Sequence, residues 1–466
     1  MAGASDKARF YLEQSIPELQ ELERKKLFTK EEITIIAKKR SEFEHKLNAR
    51  GSYPTDYARY AEYEMNLESL RRKRAKRLGV KTTAYTGQRR IFFILDRATR
   101  KLHGDVGLWM QYIEYARKQK SHKKVSEILT SLLRLHPTKP ELWIYAAAYA
   151  YDIQGDMTEA RSYMQRGLRF CKNSRELWLE YTKLEMLYIS KISARRKILG
   201  IDQSRKTAKP MQIADDPDAD LLKLPTVTAD DLNPDLQTND SELQTALTNL
   251  GATPALTGAI PMAVFDAAMD HFKDEELGER FFDLIASFQR LNCSKKILEH
   301  IVESMVATQA NSPATSFCYI RQPVCGIEAK SPEFPRALSD ALSRLKGSID
   351  AVSLMVGSEG ATRPRADLLG RVLKWLLGYL DTQGLDPDIL TALSLTMKRT
   401  WSSFCATVQE GGGSSGEEVA SLIEKCRKGK LAAMAESMLT WSVQLWPTDE
   451  RLKELQCTTE SALALQ

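Results

Sequence analysis

The chain has 466 residues and a net charge of +6, with 43% hydrophobic and 27% charged residues. This length suffices for two or three domains or for one long repeat array, and the apolar content predicts packed cores. No apolar run reaches the ~18 residues of a membrane span, the first residues lack the apolar core of a secretory signal, and seven scattered cysteines without a CxxC pair are typical of free thiols in a reducing compartment.

Charge is distributed unevenly along the chain. Residues 1–200 carry a net charge of +17, and the remaining residues carry −11. A basic half of this kind favours an anionic partner, either a nucleic acid or an acidic protein surface.

The first predicted element is a pair of helices within residues 1–52. In the sequence LFTKEEI, Thr29 and Glu32 have the spacing of a capping box, and Phe28 and Ile33 have the spacing of a hydrophobic staple. The apolar residues that follow recur with a helical period. We expect this helical hairpin to cap a repeat array whose first apolar face would otherwise be exposed.

Residues 53–199 contain a repeated pattern with a period of 34 to 35 residues, marked by Trp109, Trp143 and Trp178. Tyr57 occupies the same place in an earlier copy. Such a period predicts stacked pairs of helices, with the aromatic side chains in the core between them. The predicted core residues of the repeats are Tyr57, Tyr60, Trp109, Tyr112, Trp143, Ala160, Gly167, Trp178 and Tyr181.

The second helix of a pair is clearest after Trp143. Gly155 is predicted to turn the chain, and Asp156 and Glu159 have the spacing of a capping box at the start of the next helix. In that helix the small residues Ala160 and Gly167 would let two helices approach closely.

A basic insertion is predicted over residues 70–90, between the two helices of one pair. Three interpretations of its RRKRAKR run remain open: a nuclear-localisation signal, contact with RNA phosphates, or the solvated end of a long helix. No base-reading motif is evident, so an RNA contact would address phosphate and shape. The candidate residues are Arg71, Arg72, Lys73, Arg74, Lys76, Arg77, Arg89 and Arg90.

Two further regions follow the repeats. Residues 200–260 are acidic and rich in Asp, Pro, Thr and Asn, which predicts a largely disordered insertion, either a binding segment for a basic partner or a tolerated solvated loop. Residues 261–466 resume a degenerate helical pattern, and Pro261 suits a helix start. With no clear strand pattern, the chain is predicted to be all-α, an α-solenoid of stacked helix pairs with an amino-terminal hairpin cap.

Enzyme signatures are not found in the sequence. The six histidines form no HExxH motif, and no phosphate-binding loop or nucleophile elbow is present. The cluster Asp215, Asp216, Asp218 and Asp220 lacks the spacing of a calcium loop and is interpreted as solvated charge. We therefore expect a protein without catalytic residues, metal or cofactor.

Two resemblances to known proteins are carried by these motifs. Over residues 57–190 the aromatic-rich first helices, with Ala160-Arg161 and Arg166-Gly167 in a second helix, resemble half-a-tetratricopeptide (HAT) repeats, although Ala116 and Ala150 replace the repeat glutamate. Over residues 8–79 the sequences FYLEQSIPEL, LFTKEEI, KKR and RRKR resemble the start of the U3 small nucleolar RNA-associated protein 6 family.

The second resemblance implies a function. Its family is a non-enzymatic scaffold of ribosome biogenesis, part of the UTP-B subcomplex of the small-subunit processome in the nucleolus. The implied partners are WD40-propeller proteins, with pre-rRNA and U3 snoRNA bound directly or through those partners, and the implied role is in 18S rRNA maturation. Two alternatives remain: a HAT-repeat scaffold of an mRNA splicing or polyadenylation complex, and an autonomous RNA-binding protein.

Overall fold

Every element of the described structure is helical. The computed structural model describes residues 4–49, 51–80, 86–198, 256–289, 291–310, 312–354, 362–380, 385–409, 419–420, 423–424, 432–445 and 451–456. No β-strand occurs in these ranges, so the predicted all-α class is confirmed.

The chain forms two compact units, Met1–Lys172 and Asn173–Gln466. A short π-helical turn, Ala150–Gln154, prolongs one helix of the first unit. The α-helices described in that unit are α1 (Ala4–Glu13), α2 (Ile16–Arg24), α3 (Lys30–Asn48), α4 (Pro54–Leu78), α5 (Thr86–Lys101), α6 (Val106–Lys118), α7 (His122–Leu135), α8 (Pro140–Tyr149) and α9 (Met157–Phe170).

Helices of the first unit pack mainly on their sequence neighbours. α4 packs against α5, α6 against α7, and α8 against α9, while α1 packs against α3. Each pair buries its apolar faces, as a repeat with a period near 34 residues requires.

Two of the turn signals read from the sequence, the capping box at Thr29 and the glycine turn at Gly155, are present in the structure. The Glu32 amide donates to Thr29 Oγ1 at 3.3 Å and the Thr29 amide donates to Glu32 Oε2 at 2.9 Å, which completes the capping box. Phe28 and Ile33 lie in one apolar cluster at the same helix start. Gly155 has φ +72°, a left-handed conformation that glycine adopts without strain.

Two repeat tryptophans make the same contact. The indole Nε1 of Trp109 donates to the His103 carbonyl at 3.1 Å, and that of Trp143 donates to the Pro137 carbonyl at 2.9 Å. In both cases the acceptor lies six residues earlier, in the turn before the helix. Each indole therefore buries its ring in the core and also holds the preceding turn.

The described parts of the predicted basic insertion over residues 70–90 are helical. Residues 70–78 complete α4, which ends at Gly79 with φ +66°, and residues 86–90 form the first turn of α5. The basic run is therefore part of a 25-residue helix rather than of a connecting loop. Its side chains alternate between the core and solvent because a helix presents all of its faces in turn.

The described residues of the second unit form further helices and two apolar cores. One core surrounds Phe265, Phe281 and Phe282, and the partly buried Trp178 packs against it. The other core includes Leu369, Leu373 and further residues towards the carboxyl end. Its α-helices are α10 (Arg175–Ile198), α11 (Ala259–Phe272), α12 (Glu275–Ala286), α13 (Asn292–Gln309), α14 (Pro313–Arg321), α15 (Phe334–Leu354), α16 (Thr362–Leu380), α17 (Pro387–Gln409) and α18 (Ala432–Leu445).

Most of the acidic insertion predicted over residues 200–260 lies outside the described residues, as does the aspartate cluster within it. α11 begins at Ala259, so Pro261 lies inside its first turn rather than at its first position. Among the helices described, none is both long and apolar enough to cross a bilayer.

Candidate partner and nucleic-acid interface

The basic run of α4 divides into buried and exposed cations. Arg71 is 5% exposed, and its guanidinium donates to both carboxylate oxygens of Glu68 at 2.6 and 2.7 Å. Arg72 is half-exposed and donates to the same carboxylate at 2.8 Å. Glu68 therefore binds two of the candidate cations, and Arg71 is unavailable to a partner.

Arg74 joins α4 to the start of α3. Its guanidinium donates to both oxygens of Glu32 at 2.7 Å and to the Leu27 carbonyl at 3.1 Å, and it lies 4.7 Å above the Phe28 ring. The hydrogen bonds from Arg74, together with the amide of the capping box, hold the pKa of Glu32 at about 2. This arginine fixes the angle between two helices.

Besides Arg72, which is paired with Glu68, the exposed cations of the run are Lys73, Lys76 and Arg77. Within the part of the chain that the structure describes, none of the three forms an ion pair. In α5, Arg89 is exposed, while Arg90 donates to Glu18 at 2.8 Å. The surface open to an anion is therefore smaller than the sequence suggested: we call Lys73, Lys76, Arg77 and Arg89 the exposed basic set.

A buried ion pair between α3 and α4 was not foreseen from the sequence. Arg40 donates to both oxygens of Glu64 at 2.7 and 2.9 Å, and its third nitrogen lies 3.7 Å from Glu18. Glu64 stands seven residues after Tyr57, in the repeat position noted above. The sequence did not mark Arg40 as a buried residue. It belongs to the KKR run, and a short basic run of this kind is usually solvated charge.

A second ion pair joins α5 to the amino-terminal hairpin. The guanidinium of Arg97 lies 3.0 Å from both Glu44 oxygens and 4.0 Å above the Tyr11 ring. Together with the Arg90–Glu18 pair, this contact ties α5 to both α2 and α3. Electrostatic contacts thus reinforce the packing of α5 on the amino-terminal helices.

Eight of the nine predicted repeat-core residues are buried. Tyr57, Tyr60, Trp109, Tyr112 and Trp143 are each at most 5% exposed, and the indole of Trp143 also stacks on Phe170 with centroids 5.9 Å apart. The other three buried residues are Ala160, Gly167 and Tyr181, whereas Trp178 is only partly buried. These buried residues contribute to the packing between helices.

Two cysteine thiols of the second unit have a raised pKa because they are buried. Burial raises the pKa of the Cys318 thiol to about 12 and that of Cys325 to about 11, so both stay protonated at neutral pH. Within the described ranges, no three His, Cys, Asp or Glu side chains are grouped as metal ligands.

The amino-terminal part of the chain matches a known family. Residues 12–92 match the model of the family described as U3 small nucleolar RNA-associated protein 6, which confirms the resemblance read from the sequence. The matched residues include α2, α3, α4 and the whole basic run, together with every ion pair described above except Arg97–Glu44.

Curated relatives agree with the family match. The chain is 37% identical over 252 residues to the U3 small nucleolar RNA-associated protein 6 of Schizosaccharomyces pombe, covering 51% of this chain and 52% of the relative. It is 31% identical over 190 residues to the Homo sapiens homolog, covering 40% of this chain and 32% of the relative. The matched region thus spans about half the length of the first relative and a third of the second.

Proposed function

We propose that this chain, given its likeness to the U3 small nucleolar RNA-associated protein 6 family, is a non-enzymatic helical scaffold of ribosome biogenesis. It would act in the nucleolus, within the small-subunit processome, in the maturation of 18S rRNA. The observation that carries the proposal is the match of residues 12–92 to that family together with the 37% identity to the Schizosaccharomyces pombe protein.

The first unit has the features that a scaffold needs. Its helices pair with their sequence neighbours, and two repeat tryptophans hold equivalent turns, which supports a stack of HAT-like pairs. Stacked helix pairs build extended surfaces that hold peptides or domains of other proteins. We propose an α-solenoid with residues 1–52 as its cap, and WD40-propeller proteins of the UTP-B subcomplex as its partners.

Contact with RNA is proposed to be secondary to contact with protein. The exposed basic set offers four cations, and four phosphate contacts give only weak binding that falls steeply with salt. Pre-rRNA and U3 snoRNA would therefore be held chiefly through protein partners. The same exposed cations are compatible with nuclear import, whereas Arg71 and Arg74 are occupied in the fold.

Affinity purification of the tagged chain from its own cells, with crosslinking, tests this function. Mass spectrometry and RNA sequencing are expected to recover propeller proteins, pre-rRNA and U3 snoRNA. Recovery of splicing or polyadenylation factors instead would reject the ribosomal assignment and favour the alternative HAT scaffold.

A binding assay on the isolated chain separates the scaffold from an autonomous RNA-binding protein. The scaffold predicts micromolar or weaker binding to single-stranded RNA at physiological salt, as is typical of non-specific contacts. Tight binding that persists in high salt would contradict it.

A further inference from the structure

An apolar groove lies on the surface of the first unit between α3 and α4. Its volume is about 320 Å³, and its lining includes Phe28, Ile36, Tyr63 and Leu67 in addition to two exposed aliphatic side chains. Those two are Ile35, which is 61% exposed, and Leu70, which is 41% exposed. Single exposed apolar side chains are common, but several in one concavity are typical of a binding surface.

Basic side chains stand at both ends of this groove on α4. Since each helical residue advances by about 100°, Arg59 and Arg77 fall on the face that carries Leu70, and Lys73 borders that face. All three cations are exposed. In α4, which is described along its whole length, Glu62 is the exposed carboxylate, and it falls about a quarter-turn to the side of Leu70.

The α3 side of the groove carries charges of both signs. Lys38 and Lys39 follow Ile35 by one turn, and Lys39 forms a 2.9 Å ion pair with Glu42. Glu31 precedes Ile35 by one turn. The acid that lines the groove itself, Glu32, is bound by Arg74. The excess positive charge therefore comes from the α4 side.

We infer that this groove binds an acidic segment of a protein partner, anchored by two or three apolar side chains. The inference rests on the scaffold function proposed above and specifies the chemistry of one partner. The apolar side chains of the bound segment would cover Ile35 and Leu70 and exclude water from them. Carboxylates of the segment next to these side chains would pair with Arg59, Lys73 and Arg77. The whole groove lies within the residues that match the family model.

The groove is poorly suited to single-stranded RNA, which binds by stacking bases on open aromatic faces. The Arg74 guanidinium covers the Phe28 ring, and Tyr63 packs on Phe43 with centroids 5.6 Å apart. The side chains left open, Ile35 and Leu70, are aliphatic. The phosphates of an RNA strand could pair with the exposed cations, but its bases would have no open aromatic face to stack on. The groove therefore favours a peptide over RNA as its ligand.

Selection of a random displayed peptide library on the intact chain tests the inference. We expect enrichment of peptides rich in Asp and Glu that carry spaced Leu, Ile or Phe residues. Leu70→Glu is expected to weaken the selected peptides about tenfold, as loss of a central apolar contact does. Ile153→Glu is the matched control, because Ile153 is 42% exposed but lies in the π-helical turn after α8.

Charge reversal at two adjacent residues, Lys76 and Arg77, tests whether the basic side chains beside the groove contribute to binding. Arg77→Glu is expected to weaken the selected peptides several-fold. Lys76→Glu is expected to change their affinity little, because Lys76 points about a third of a turn away from Leu70 around α4. Equal losses of peptide affinity in the two variants would show that the peptides respond only to the net charge of the protein. That result would overturn the assignment to the groove.

Other results also reject the inference. Enrichment of basic or uncharged peptides would do so, as would peptides that bind Leu70→Glu unchanged. A dimer that Leu70→Glu dissociates would assign the groove to a second copy of the chain, and RNA crosslinks at Leu70 would assign it to nucleic acid. If Leu70→Glu fails to fold, Ile35→Asp replaces it. These outcomes do not depend on the affinity purification, so the two proposals fail separately.

Discussion

Arg40 and Glu64 form a two-pronged ion pair between α3 and α4, with both side chains at most 3% exposed. Burial by itself lowers the pKa of Arg40, but the Glu64 carboxylate more than offsets this effect and the net shift is upward. The Arg40 guanidinium therefore remains charged inside the protein. Through this pair, the packing of α3 and that of α4 depend on each other.

Removing one partner of this ion pair is expected to destabilise the protein. Arg40→Leu leaves the Glu64 carboxylate buried without its guanidinium, and we expect the free energy of unfolding to fall by about 3–5 kcal/mol. The control is Arg40→Leu with Glu64→Leu, which removes both charges and is expected to cost much less. Urea unfolding of the three proteins measures the difference, and equal losses in the single and double variants would contradict this account.

The division of the basic run predicts two different phenotypes. Replacing Lys73, Lys76 and Arg77 with Ala is expected to change the free energy of unfolding by less than about 0.5 kcal/mol. It should lower the salt dependence of RNA binding, because each lost phosphate contact reduces the slope by about one. Salt titrations of RNA binding and thermal melting check both parts.

Replacing Arg71 and Arg74 with Ala is the matched control for that variant. This variant is expected to lose about 3–5 kcal/mol of stability, chiefly because the buried Glu68 carboxylate loses Arg71. The partly exposed pair of Arg74 with Glu32 contributes less. A destabilised triple variant with a stable double variant would reverse the assignment of structural and surface cations.

Acid is expected to loosen the contact between α3 and α4. Because Arg74 and Thr29 hold the pKa of Glu32 at about 2, below the 4.5 of an unfolded chain, the unfolded state binds more protons in that window. The contribution of Glu32 to stability is therefore complete above pH 4.5 and is lost as the pH falls towards 2.

Thermal melting of the wild type and Glu32→Gln against pH measures this contribution. The difference in Tm should be constant near neutral pH and should shrink below pH 4.5. It will be small, since the Glu32 side chain is 36% exposed and solvent screens the pair.

The repeat tryptophans are expected to differ in their contribution to stability. Trp143→Ala should cost about 3–5 kcal/mol, because a nearly buried indole that also stacks on Phe170 is removed. Trp178→Ala should cost less, because Trp178 is only partly buried. Chemical denaturation of each variant gives the comparison, and a larger loss for Trp178→Ala would contradict it.

Cys318 should report on opening of the second unit. Its thiol is fully buried, and burial raises its pKa to about 12, so an alkylating reagent meets almost no thiolate in the native state. We expect modification of Cys318 only after unfolding by denaturant. Mass spectrometry of alkylated protein follows it residue by residue, and rapid labelling without denaturant would show that the core around Cys318 opens readily.

Local order was predictable because its causes are local. The capping box of Thr29 and Glu32, the turn at Gly155 and the burial of the aromatic repeat positions follow from spacing along a helix. The same holds for the all-α class and for the resemblance of the amino-terminal segment, which the family match confirms.

The sequence by itself determined the helices, the repeat period and the relatives of this protein, because each is read from residue types and their spacing along the chain. Only the tertiary structure decided which cations are surface, since Arg71 and Lys73 look alike until the neighbours of each are known. It also decided the Arg40–Glu64 pair and the groove beside Leu70. Both join residues of different helices, and their contacts depend on how those helices pack rather than on spacing along the chain.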